Sequence, residues 1–238
     1  MSLAFPQATL DFLADLREHN SREWFDANRG RYERDLVVPA KAFVTGVAPM
    51  LDRLAPGIVA EPRVLGSIFR INRDTRFSPD KRPYKDHLDL WFWHGQRATA
   101  VSGLFLRLTP EEFAVGAGAH DLQKESLERY RRAVADPVAG RALAGIIADL
   151  DRAGIGIAGR SMKRPPAGFT AVPEAAPLLL HRALFTAVPE PSAVATGDGL
   201  AERLERWWGL LAPLHLWLVE QVQRDEPAGQ KSSSSKLT

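Results

Sequence analysis

The chain has 238 residues, with 31 Lys and Arg against 29 Asp and Glu, a formal net charge of +2 and a pI of about 9.0. So small a surplus does not imply generic nucleic-acid affinity, and the absence of cysteine excludes disulfides, thiolate zinc sites and cysteine nucleophiles. The opening MSLAFPQATLDFLADL has no basic stretch before an apolar run, and Trp207 to Val222 is interrupted by Pro213, His215 and Glu220, so a cytoplasmic chain without signal peptide or membrane span is expected.

Pro6 suits a first helical position, and Leu10, Leu13 and Leu16 then recur on one face, predicting an amphipathic helix near 6 to 19. Ser21 reads as the N-cap of a second helix carrying Trp24, Phe25, Tyr32 and Leu36. Pro39 is expected to break or kink it before a third helix runs to about Leu54. From Val64 the pattern becomes strand-like over Leu65–Ile71, Leu88–His94, Ala98–Leu108 and Glu112–Ala117. Residues 122 to 152 return to helical spacing with an interruption near Asp136 and Pro137, and Gly154 to Pro166 reads as a loop or short strand. A short helix near 174 to 182 and a long one near 198 to 224 close the pattern.

Consecutive strands bracketed by helices predict an α+β fold, an antiparallel β-meander of about four or more strands packed against N-terminal and C-terminal helices. One domain over 1–228 is expected, and the low-complexity end at 229–238, with its KSSSSKLT run, is expected to be disordered.

One stretch stands out chemically. In RINRDTRFSPDKRPYKDH, Arg70, Arg73, Arg76, Lys81, Arg82 and Lys85 are interleaved with Asp74, Asp80 and Asp86, and the local positive surplus exceeds that of the whole chain. Strand alternation would send Ile68 and Arg70 to one face and Phe69 and Ile71 to the other. The turn signature Ser78-Pro79-Asp80 would fold Arg73 and Arg76 back towards Lys81 and Lys85. Several guanidinium forks with a mobile ammonium are what a phosphate or carboxylate needs. Tyr84 and His87 add a hydroxyl and a titratable imidazole. The alternative is an internal ion-pair network that pins a long connection, with Asp74 and Asp80 as structural acceptors and Asp74→Ala carrying a buried-pair penalty.

This string, together with FLADLREHNSREWFDANRGRYERDLVVP, SIFRINRDTRFSPDKRPYKDH and MKRPPAGF, resembles the domain-of-unknown-function family 2461 (DUF2461) over about residues 5 to 222. The family's RDxRFSxDKxPYK pattern is matched by Arg73, Asp74, Arg76, Phe77, Ser78, Asp80, Lys81, Pro83, Tyr84 and Lys85. The resemblance implies a shared domain and a shared site at this string, and no particular activity. His120 stands where family members often carry an aromatic residue after a glycine pair, here Gly116 and Gly118 split by Ala117.

The leading expectation is therefore a pocket for a phosphorylated or otherwise anionic small molecule. Arg70, Arg73 and Arg76 would hold the anion with Lys163 at the rim, and Lys81, Tyr84, Lys85 or His87 would serve proton transfer. Such a site would suit an enzyme handling phosphoesters or acyl phosphates. The alternatives are a nucleic-acid-binding module, disfavoured by the charge balance, and a non-enzymatic scaffold. No cofactor signature is legible, and no metal site is expected, since no two of the six histidines have helical ligand spacing. His87 and Asp89 share a strand face, Trp91 and Trp93 are expected to pack against helices, and the GxG at Gly116 is read as a strand turn.

Overall fold

The computed structural model describes residues 3–223, so the expected disordered end at 229–238 lies outside them. Helix α1 spans Gln7–Glu18 and buries Leu10, Phe12, Leu13 and Leu16, the stripe its periodicity predicted. Ser21 caps α2 (Arg22–Ala27), its side chain accepting from the Trp24 amide, a bond worth about 1 kcal/mol to a helix start. A single turn, α3 (Arg29–Arg31), and a π-helical turn at Tyr32–Val37 then lead directly into α4 (Val38–Leu54). Pro39 does not break the chain. It sits where the π-helical turn meets α4, and the Asp35 carbonyl four residues before it accepts from Thr9 Oγ1 instead.

The sheet comprises β1 (Leu88–Trp93), β2 (Gly103–Leu108), β3 (Glu112–Ala119), β4 (Ala158–Arg160) and β5 (His181–Pro191), in the order β1-β2-β3-β5-β4 with every pairing antiparallel. Helices α5 (Lys124–Ala135), α6 (Pro137–Arg152) and α7 (Leu200–Val222) complete the α+β arrangement. Asp136 divides α5 from α6 by accepting from the Val138 and Ala139 amides.

Period-two alternation sorts the sheet into two faces. Leu88, Leu90 and Phe92, then Leu104, Leu106 and Leu108, then Phe113, Val115 and Ala117 are in register and all buried. This inner face packs on α7, where Trp208 meets Phe92 edge-on at 5.7 Å, and Leu211, Leu214 and Leu218 continue the contact stripe.

Three expectations are corrected. Leu65–Ile71 is not a regular strand: Leu65 has φ +66°, and Ile68 and Ile71 are both buried, so bends replace alternation. The segment still covers the β1 edge through Phe69 N to Asp89 O and Trp91 N to Ser67 O. The expected helix over 174 to 182 is a 3₁₀ turn at Ala176–Leu180, and β5 begins at once, its strand signal diluted by Pro189 and Pro191 near an open edge. Gly116 and Gly118 lie inside β3, not at a turn.

Candidate functional site

Helix α7 packs on β2 and β3 from the inner side and α4, α5 and α6 pack on α7, while the outer face of the sheet carries an open trough. Reading across the register gives its chemistry. One row is Asp89, Arg107, Ala114 and Pro189; the next is Trp91, Phe105, Gly116 and Ala187; the third is Trp93, Gly103, Gly118 and Phe185. Large side chains on β1 and β2 thus border a strip of small ones on β3, and a trough follows.

The glycines let the rings lie flat. A Cβ at Gly103 would collide with the Trp91 indole, and one at Gly116 with the Phe105 ring. The resulting concavity of about 620 Å³ is lined by Phe69, Trp91, Phe105 and Phe185 with Lys85, Asp89, Arg107, Glu112 and His120. Its size suits a drug-sized molecule. Trp91 therefore faces the trough, stacked at 5.3 Å on Trp93, and the expectation that it packs against helices is corrected.

Charge converges on one wall. Asp89 accepts from Arg107 Nε at 2.7 Å and Lys85 Nζ at 3.1 Å, and His87 Nε2 lies 3.3 Å away. Burial pushes the Asp89 carboxyl up, but hydrogen bonds and charge from His87 and Arg107 outweigh it and hold the carboxyl well below the usual range. The chain of charges continues from His87 Nδ1 to Asp86 at 3.2 Å, then to Arg17 at 3.1 Å and Glu111 at 2.6 Å. Asp89 is thus fully engaged. Arg107, half-exposed, has no partner for either Nη among the described residues.

Arg97 adds a third cation. Its guanidinium carbon lies 5.1 Å from the Phe69 ring centre, 5.4 Å from Trp91 and 5.5 Å from Trp93, and Lys85 Nζ lies 5.2 Å from Phe69. Its hydrogen bond runs from Nε to Gly66 O, and among the described residues no carboxylate pairs with it. Among the described residues no group of three or more His, Cys, Asp or Glu is arranged to hold a metal ion.

The predicted residues do not gather in one place. Lys85 lines the concavity and His87 touches its Asp89. The rest of the basic segment folds back on itself through Arg73 N to Pro83 O and Lys85 N to Ile71 O, forming an arm. Within the arm Arg73 reaches Asp80 at 2.7 Å, Arg82 reaches the same carboxylate at 2.8 Å, Arg76 reaches Asp74 at 2.7 Å, and Lys81 Nζ donates to Thr75 O at 2.9 Å. Hydrogen bonds from Arg82 and then Arg73 hold the Asp80 carboxyl far below its ordinary range. Asp74 is also lowered, by Arg76, yet it is exposed, so the buried-pair penalty expected for it does not apply.

Arg70 is exposed at the base of the arm. Tyr84 is buried against Phe25 at 4.3 Å, its backbone clamped both ways by Asn20. Lys163 and Arg164 are exposed in the loop after β4, the edge strand opposite β1. Arg70, Arg73, Arg76, Lys81 and Lys163 are not among the residues lining the concavity.

The family model described as "Conserved hypothetical protein (DUF2461)" matches residues 8–217. The chain belongs to DUF2461. No curated protein matches it. In this DUF2461 chain the matched span carries both the self-paired arm and the trough beside it.

Residue-by-residue reading missed Arg107, Phe105, Phe185 and Arg97, and singled out His120 without giving it a role. A signal was present: Asp89 and Arg107 interrupt otherwise apolar strands at positions where alternation puts them on the face opposite the leucines. His120 closes the far side, its ring 4.1 Å from Phe185 and 5.0 Å from Phe105.

Proposed function

We propose that the trough on the outer sheet face binds a small molecule combining a planar aromatic body with an anionic group. The observation that carries this reading is the pairing of a half-buried aromatic floor with Lys85 and Arg107, two cations set against the already saturated Asp89, and with Arg97 over the Phe69 and Trp91 rings. A ring stacks on Trp91 and Phe105, and the free Nη groups of Arg107 receive a carboxylate or phosphate in bidentate fashion. Glu112, two residues before Ala114, the β3 partner of Arg107, borders the same end of the trough and tempers the positive charge a ligand meets there. The self-paired arm supports the wall that carries Lys85 and does not itself contact the ligand in this reading.

Trp91 in the floor provides the readout. Titration with naphthoate should quench tryptophan fluorescence saturably, while naphthylmethanol, which lacks the charge, should bind at least about tenfold more weakly. Arg107→Ala and Trp91→Leu should each weaken naphthoate binding. Equal affinity for both probes, or binding indifferent to both substitutions, would sink the proposal. A clear preference for single-stranded oligonucleotides with a steep salt dependence would move the same surface to nucleic-acid binding.

A further inference from the structure

His120 lies apart from the charged groups that Asp89 ties together. Asp89 is engaged on both oxygens, Lys85 with Asp89, and Arg107 on its Nε. Neither ring nitrogen of His120 has a hydrogen-bond partner among the described residues, although Phe105 and Phe185 hold the ring from two sides. The side chain follows the last residue of β3, Ala119, whose register partner is Leu184, and so stands over the strand pair that carries Phe185.

We infer that His120 selects ligands bearing a hydrogen-bond donor, a hydroxyl or an N–H, on the aromatic body opposite the anionic group. The inference rests on the aromatic-anion reading of the trough and names the ligand class more closely. A neutral imidazole presents one acceptor and one donor nitrogen, and the other acceptors of the trough stand at the Arg107 end, Asp89 in register with Arg107 and Glu112 two residues before its β3 partner Ala114, so the His120 nitrogen is the acceptor offered at the far end. Burial, and next the Arg107 charge, push the His120 imidazole down against a smaller opposing pull from Asp89, which favours the neutral form. Rings on both sides restrict the imidazole, so little freedom is lost when the bond forms. A site that meets a ligand donor in this way discriminates against the analogue lacking it.

The test compares naphthoate with a panel of hydroxynaphthoates by calorimetric titration of the full chain. The best-placed isomer should bind about 3- to 10-fold more tightly than naphthoate, the worth of one net hydrogen bond. His120→Phe keeps the ring stack and should bring that ratio to about one, and His120→Gln should retain part of the preference. In the wild-type chain the imidazole nitrogen resonances of His120 should move with the preferred isomer and not with naphthoate, a readout that survives if a variant fails to fold. No preference for any isomer, or a preference that persists in His120→Phe, overturns the inference while leaving the aromatic-anion site standing. Failure of naphthoate itself to bind overturns both.

Discussion

Asp89 and Arg107 are directly registered partners on β1 and β2, with Arg107 Nε 2.7 Å from Asp89 Oδ1 across the outer face. The same carboxylate also holds Lys85 at 3.1 Å, so one side chain fixes the position of both cations offered to a ligand. Asp89→Asn should release them. It should cost about 2 kcal/mol, the scale of hydrogen bonds to a charged group, read as a shift in urea midpoint without a change in slope.

The acid dependence of this contribution has a definite sign. The native Asp89 carboxyl titrates below its unfolded value, because bonds and charge from His87 and Arg107 exceed the opposing effect of burial. Its stabilisation is therefore complete above about pH 3.9 and fades as pH falls below that value. Wild type and Asp89→Asn should converge in strong acid, and a constant gap down to that range would contradict the assignment.

A second titration acts at milder pH. His215 is buried between Ser102, whose Oγ lies 2.9 Å from Nδ1, and His94, 2.9 Å from Nε2. Burial pushes the imidazole down to about 3, and the neighbouring His94 adds in the same direction. As pH falls below about 6.5 the unfolded chain takes up a proton that the native chain refuses, and stability declines by about 1.4 kcal/mol per pH unit from this group. His215→Gln should be less stable near neutrality and show a shallower decline between about pH 6 and 4. Chemical denaturation across that interval measures the difference in slope.

Asp74 and Asp89 make a contrasting pair. Both carry arginine partners, but the Asp74 side chain is 51% exposed and that of Asp89 14% exposed. Asp74→Ala should leave the melting temperature nearly unchanged, as exposed ion pairs do, while Asp89→Asn lowers it clearly. Equal losses in the two variants would show that the arm is rigidly coupled to the sheet.

Gly116 tests the shape of the trough. An added Cβ would meet the Phe105 ring and also lie 2.5 Å from Thr186 O, backbone that cannot swing away. Gly116→Ala should cost about 1–3 kcal/mol through overpacking and weaken naphthoate binding by lifting Phe105 from the strand. Intact binding with unchanged stability would mean that the ring does not rest on the glycine.

Local information was enough for much of the fold. The leucines of α1, the Ser21 cap, the break at Asp136 and the alternating leucines of β1 and β2 carry their structure in spacing and side-chain chemistry alone, because a one-sided core imposes a period on each element. Where an element is irregular the period disappears: Leu65–Ile71 hides its pairing behind bends, and β5 behind its prolines.

The α+β class, the inward faces and the folding back of the basic segment were legible in the sequence, although the hydrogen-bonded turn is at Thr75–Ser78, with Ser78 N donating to Thr75 O, and not at the expected Ser78-Pro79-Asp80. Which charges remain available emerges only in the folded chain. Within the arm, carboxylates two to seven residues away satisfy Arg73, Arg76 and Arg82, a local outcome that charge counting reads as surplus. The trough joins Phe69, Trp91, Phe105, His120 and Phe185 from separate segments, and its depth comes from glycines on a different strand from the rings they accommodate. Cross-strand register places these groups side by side, and register is a property of the assembled sheet that no single stretch of chain contains.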